Sequence, residues 1–166
     1  MKLTQERLKE LLEYSPETGL FFWLVDRGGK KTGDIAGCRK RTYIVINIDD
    51  CSYRAHHLAW LYITGEWPEP FVDHRDLNKH NNVWTNLRLA TKSQNQANIG
   101  VIKSNVSGFK GVSRYRAGEA YGKPWQASIG KDGKSRHLGH FATKEEAHAA
   151  YVAAAENLFG EFARAA

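Results

Sequence analysis

Between Phe71 and Asn98 the chain reads FVDHRDLNKHNNVWTNLRLATKSQNQAN. Two apolar residues run into Asp73-His74, a loop holding Asn78, Asn81, Asn82 and Asn86 follows, and Asn95 sits where a helix begins. A carboxylate, an imidazole and a carboxamide on a strand–loop–strand–helix can hold one hard cation and one general base. Oxygen donors suit Mg²⁺, which keeps several of its waters and completes its shell with substrate phosphate. Histidine titrates near neutrality, so it can take a proton from water at working pH. Phosphodiester hydrolysis asks for those two parts. A solvated polar turn has a similar composition, and only the ordered spacing of Asp73-His74, Asn86-Leu87-Arg88 and Asn95 lifts the stretch above it. Because a regular strand sends successive side chains to opposite faces, Asp73 and His74 serve one phosphate only if the strand ends or bulges there.

The elements ahead of this stretch are those needed to position it. Thr4 predicts an N-cap for a helix over residues 4–14, with Leu8, Leu11 and Leu12 on one face. Leu20 to Val25 predicts a strand, and Arg27 to Lys31 a basic, glycine-rich hairpin tip. Tyr43 to Ile48 alternates, Asp49-Asp50 turns, and Cys51 to Arg54 returns as its partner. From His56 the pattern is helical and stops at Gly65, with Pro68 beyond.

Of 166 residues 42% are hydrophobic and 25% charged, which suits one domain or two small ones. The net charge is +6, and the segment from Lys103 to His137 alone holds eight Lys or Arg against Glu119 and Asp132, so the basic field comes from one region. Cys38 and Cys51 are too few for a zinc ribbon and no C-x-x-C occurs, so structural zinc is not expected; both read as reduced, semi-buried thiols of a cytoplasmic protein. No signal peptide or membrane-length apolar run is present, and no membrane partner is expected.

The run VDHRDLNKHNN…NLRLATKSQNQAN resembles the HNH nuclease motif in its phage and intron-associated, homing-type branch. The resemblance implies two short strands and a helix around one metal, over residues of about 70–98. It makes Asp73 a metal ligand, His74 the base that activates water, Asn86 a brace of the loop, and Asn95 the second ligand, where many relatives carry histidine. The metal implied is Mg²⁺, with Mn²⁺ as the alternative. In AHHLAW, His57 stands where relatives usually have arginine; His56 matches the family histidine and reads as support beside the site ahead of a catalytic part. Arg88 is left between a phosphate contact and a loop-bracing salt bridge, and His80 has no assigned role.

After Asn98 the residues 99–108 read as a linker. Three strand candidates follow (Phe109 to Arg116, Trp125 to Ile129, Ser135 to Phe141), with a tight turn at Lys131 to Lys134 and a capping box at Thr143 opening an alanine-rich helix. GFKGVSRYR…WQASIG…RHLGHFATKEEAHAAYVAAA is similar to the plant ethylene-response-factor (APETALA-type) DNA-binding domain, found also fused to phage HNH nucleases. That family lays a three-stranded sheet in the major groove with the helix behind it. The match is close in the scaffold and looser at the reading positions, where Lys110, Arg114, Arg116, Trp125, Arg136 and His137, together with Arg88, are the candidate DNA contacts.

The expectation is therefore an α+β chain: an HNH ββα-metal nuclease domain over 1–98, a linker over 99–108, and a three-stranded antiparallel sheet packed on one helix over 109–166. Its expected function is metal-dependent hydrolysis of double-stranded DNA, nicking one strand as a monomer; the alternative is a DNA-binding regulator on an inactive nuclease scaffold.

Overall fold

The computed structural model describes residues 2–101 and 104–164. Met1, Ala165 and Ala166 at the ends of the expected domains, and Ile102 and Lys103 of the expected linker, lie outside the described residues. The chain forms two compact units, Met1–Ala90 and Thr91–Ala166. The division thus falls ahead of the expected linker.

In the first unit Thr4 caps α1 (Gln5–Leu11) by accepting the Arg7 amide, and Leu8 and Leu11 are buried. The helix stops short of residue 14 because Leu12 is extended and alternation takes over: Leu12 and Tyr14 point inward and Glu13 outward in β1 (Leu12–Ser15). β1 pairs with β2 (Leu20–Trp23), and β2 with β3 (Ile35–Ala36). A second antiparallel sheet holds β4 (Cys38–Arg39), β5 (Ile44–Ile48) and β6 (Cys51–Arg54). Asp49 and Asp50 make its two-residue turn with φ of 46° and 62°. α2 (Ala55–Thr64) ends on Gly65 in the left-handed conformation. Leu8, Leu12, Phe21, Ile46, Ile48, Leu58 and Leu61 are fully buried together in this unit's core. Beside it, β7 (Phe71–His74) and β8 (Leu87–Ala90) form a two-stranded antiparallel ribbon.

In the second unit α3 (Lys92–Asn98) opens with a capping box between Thr91 and Gln94. The sheet order is β11 (Lys134–Phe141), β10 (Trp125–Lys131), β9 (Val112–Arg114), all antiparallel. β9 is shorter than the pattern predicts because a 3₁₀ turn over Arg116–Tyr121 takes the chain away from the sheet. α4 (Lys144–Phe159) starts on the predicted Thr143–Glu146 capping box and buries Ala147, Tyr151, Ala155 and Phe159. Val112, Ala127 and Ala147 form the sheet–helix core. Small residues at that contact let helix and sheet approach closely.

Part of the expected linker is folded into this unit. Ser107 is buried, and its hydroxyl donates to the Val112 carbonyl at 2.9 Å, while the Asn105 amide group donates to the Phe109 carbonyl at 2.8 Å. The two cysteines, expected to be semi-buried, are free and exposed. They lie at the edge and beside the turn of a small sheet. No helix among the described residues is long and apolar enough to cross a membrane.

Gly111 sits at φ +70°, and a Cβ there would lie 2.1 Å from the Tyr151 ring and 2.7 Å from the Ser128 carbonyl oxygen. Gly111→Ala should therefore combine backbone strain with overpacking and destabilise the second unit by about 2 kcal/mol or more, read as a lower urea midpoint.

Candidate active site

Cross-strand register places Asp73 opposite Arg88 and His74 opposite Leu87. Opposed residues share a face of the ribbon, so the carboxylate and guanidinium meet directly. Arg88 donates to Asp73 Oδ2 from Nε at 3.1 Å and from Nη2 at 3.0 Å, and both side chains are buried. Of the two expectations for Arg88, the ion pair is the one formed. β7 ends at His74, which meets the condition that the strand stop where the base is presented.

His74 is 4% exposed and its Nε2 lies 3.2 Å from Asn82 Oδ1. With the Asn82 oxygen as acceptor, Nε2 carries the ring proton and Nδ1 is the nitrogen left to act as base. Burial pulls the His74 pKa below its ordinary value; the Asn82 bond and the carboxylates of Asp76 and Asp73 oppose this only in part. The imidazole is neutral at neutral pH, as a base must be. Asn82 is itself held: its backbone carbonyl accepts the Tyr14 hydroxyl at 2.6 Å. The turn at Gly19 (φ +72°) presses on the same loop, and a Cβ at Gly19 would lie 2.4 Å from the Asn82 backbone.

Asp76 organises the rest of the loop. Its carboxylate accepts the Asn78 amide at 2.8 Å, Asn81 Nδ2 at 2.8 Å and Asn86 Nδ2 at 2.9 Å. Burial opposes its ionisation, yet these hydrogen bonds outweigh burial and leave the pKa below the ordinary value. Asn86 closes the loop from the other side: Nδ2 also donates to the Asn81 carbonyl at 2.8 Å, and Oδ1 accepts the Asp76 amide at 3.1 Å. His80, without an assigned role, has Nε2 3.1 Å from the Lys40 carbonyl oxygen. Sequence reasoning missed Asp76 and Asn82 as separate parts. The D-x-N spacing of an Asx turn was a signal for Asp76; nothing local marks Asn82 as the partner of His74.

A cluster of rings lies beside the base. The His56 and His74 centroids are 4.9 Å apart, edge to face, and His56 also meets Tyr43 at 4.9 Å and His57 at 4.4 Å. Burial, with the neighbouring histidines and the cations Arg54 and Lys79, pushes His56 down to about 2. His57 is held at about 4 by burial, Arg54 and His74.

Asn95, on α3, belongs to the second unit; it is half-buried and its amide donates to the Thr91 carbonyl at 2.9 Å. Among the described residues no three His, Cys, Asp or Glu side chains gather into a metal-binding group. The donors that the sequence singles out, the Asp73 carboxylate and the Asn95 carboxamide, are hard oxygen ligands. They fit a hard divalent ion that retains water and adds substrate oxygens, and they do not fit a fully protein-caged zinc.

The HNH endonuclease family profile matches residues 53–97, which covers α2, the ribbon and nearly all of α3. Protein 3.8 of Escherichia phage T7 is 33% identical over 112 residues, 67% of this chain and 88% of that protein. Residues 53–97 are an HNH endonuclease family domain. A second relative, named "Uncharacterized HNH endonuclease L560", from Acanthamoeba polyphaga mimivirus, is 41% identical over 104 residues. That match takes in 62% of this chain and spans about half (51%) of the mimivirus protein. No solved structure matches the chain.

The second unit carries most of the sequence's candidate DNA contacts. Alternation along β10 buries Ala127 and Ile129 against α4 and turns Gln126 and Ser128 to the other face, opposite His140 and His137. On that open face Tyr115 stacks on His140 at 4.2 Å, and His137 lies 4.6 Å from His140. Arg116 is exposed; Arg136 is exposed too but stands opposite Ile129 in the register, on the helix side of the sheet, and Arg114 is exposed but paired with Glu119 at 2.8 Å. Two expected DNA contacts have other partners. Trp125 packs on the Val112–Ala127–Ala147 core. The Lys110 ammonium donates to the carbonyls of Gln96, Ala97 and Ile99, and burial, with Arg164 nearby, pulls it down to about 8. Gln126, His140 and Tyr115 are polar or aromatic groups of this face that the sequence pattern did not single out.

Two outcomes follow for the HNH unit. Its unfolded form takes up a proton at His56 near the ordinary pKa of 6.5, which the folded form refuses until about pH 2. Stability should hold above pH 6.5 and fall below it by about 1.4 kcal/mol per pH unit for that group, with His57 adding a smaller share. Urea midpoints from pH 7.5 to 5 measure this, and His56→Asn should flatten the slope. Arg88→Met strands a buried carboxylate, and chemical denaturation should show a loss of about 3–5 kcal/mol.

Proposed function

We propose that this chain is a metal-dependent endonuclease that nicks one strand of double-stranded DNA, and that the sheet of its second unit binds the duplex in the major groove as the ethylene-response-factor domain does. The observation that carries the nuclease reading is His74: buried at the end of β7, its Nε2 3.2 Å from Asn82 Oδ1, and its pKa pulled below the ordinary value by burial. Asp73 and Asn95 are the residues that would hold Mg²⁺ or Mn²⁺. That ion, when bound, stabilises the leaving 3′ oxygen and the charge on the phosphorane.

The rest is done by side chains. His74 takes a proton from the water that attacks in line with the leaving oxygen, and the ends left are 5′-phosphate and 3′-hydroxyl. Arg88 holds the Asp73 carboxylate in one orientation. Asp76 and Asn86 keep the loop closed around the base, and His56 packs against its ring. One such site acts on one strand, and a monomer suffices for a nick.

Major-groove binding is supported by the open sheet face, whose Gln126, His137 and His140 can meet base edges while the exposed Arg116, next to Tyr115 in the chain, can meet phosphate. A ribbon or sheet enters a groove about 12 Å wide, whereas the major groove of A-form RNA is too narrow.

The test is cleavage of supercoiled plasmid carrying sequences enriched by binding selection, with Mg²⁺ or Mn²⁺. Wild type should yield open circles, chelator should abolish them, and His74→Ala should lower the rate by about 10²–10⁴ with binding intact. Binding without cleavage in either metal would overturn the nuclease reading in favour of a regulator on an inactive scaffold.

A further inference from the structure

α3 is seven residues long. A helix of that length does not hold together in water on its own, so what it packs against decides where its side chains stand. Both of its ends are tied to the sheet of the second unit. In its first turn, the Ser93 hydroxyl donates to Asp132 Oδ1 at 2.9 Å and accepts the Asp132 amide at 2.8 Å. Asp132 stands at the tip of the β10–β11 hairpin with φ 51°, followed by Gly133 at φ 77°, so a tight turn aims this contact. At the other end, the Lys110 ammonium donates to the Gln96 carbonyl at 3.1 Å and to those of Ala97 and Ile99 at 2.5 Å. A cation on the last carbonyls satisfies acceptors the helix cannot, and it complements the helix dipole. Ala97 and Asn98 are buried.

We propose that Lys110 and Asp132 are positioning residues for Asn95: the sheet module is the mount of the helix that carries this ligand, as well as a DNA-binding surface. This rests on the reading of Asn95 as a metal ligand. Asn95 lies between the two ties, two residues after Ser93 and one residue before Gln96, so releasing either end lets its carboxamide move. Displacements of about 1 Å at such a site are enough to cost roughly 10²-fold in rate. Lys110, which the sequence offers as a DNA contact, has its donors committed within the fold instead.

Asp132→Ala separates the two roles. It removes a negative charge, so electrostatics would not weaken DNA binding, while it takes away the side-chain acceptor of the Ser93 hydroxyl and loosens the first turn of α3. In the full chain, Asp132→Ala and Lys110→Met should each raise the half-saturating Mn²⁺ concentration by about 10- to 100-fold, the range for groups that orient a ligand. Binding is read by electron paramagnetic resonance of free Mn²⁺ and, separately, by plasmid nicking. Amide exchange over 92–98 should speed up while β10 stays protected, which shows that the variants fold. Lys110→Arg, which can still reach the carbonyls, should restore much of the affinity, and excess Mn²⁺ should restore nicking by Asp132→Ala. If Asn95→Ala weakens Mn²⁺ binding but Asp132→Ala and Lys110→Met do not, the positioning proposal is overturned and the ligand reading stands. If Asn95→Ala leaves Mn²⁺ binding unchanged, the ligand reading fails and the proposal falls with it. Should Lys110→Met not fold, Asp132→Ala and Ser93→Ala give the same decision from the other end of the helix.

Discussion

A general base has to be neutral and has to point one way, and burying His74 imposes both conditions on the fold around it. Burial alone disfavours the imidazolium. It also takes away the water that would otherwise satisfy the ring, so a protein group must replace it. Asn82 is that group, and it is 1% exposed itself, which passes the demand outward. Its backbone carbonyl is met by Tyr14 on β1, and the same stretch of backbone is backed by the turn at Gly19. The N-terminal helix and hairpin, which carry none of the proposed reacting groups, are thus the support on which the base is held.

The density of asparagine in the loop has the same origin. A carboxamide both donates and accepts, so a few of them can close a network without adding charge. Asp76 supplies the acceptor that gathers Asn78, Asn81 and Asn86. The Asp73–Arg88 pair does different work. A buried ion pair gives little net stability because both partners lose their hydration. What it does here is lock the β7–β8 register, since a slip of one residue would separate the two charges and send every side chain to the opposite face.

In the second unit one sheet has two dissimilar faces. The side lined by Val112, Ala127 and Ile129 is closed by an alanine-faced helix. The side with Gln126, His137 and His140 stays open, and Tyr115 stacks on His140 there. The hairpin tip and the loop before β9 of this sheet also secure α3, so a module that looks separable in sequence is structurally continuous with the end of the nuclease motif.

Local patterns were enough for most of the architecture. Thr4 and Thr143 announce helix starts through side-chain capping, Gly65 announces a stop, and the isoleucines of β5 announce a strand by alternation. These are short-range effects, encoded within a few residues. The motif spacing likewise singled out Asp73, His74, Asn86 and Asn95. What sequence could not supply were choices made by distant neighbours. Leu12 leaves the helix because a partner strand awaits it at Trp23. Lys110 turns to the carbonyls of α3 although its charge suggests phosphate. Trp125 turns to the core, and Arg88 to Asp73. In each case a side chain had more than one favourable partner, and only the packed chain, by bringing one within reach and burying the rest, decided between them.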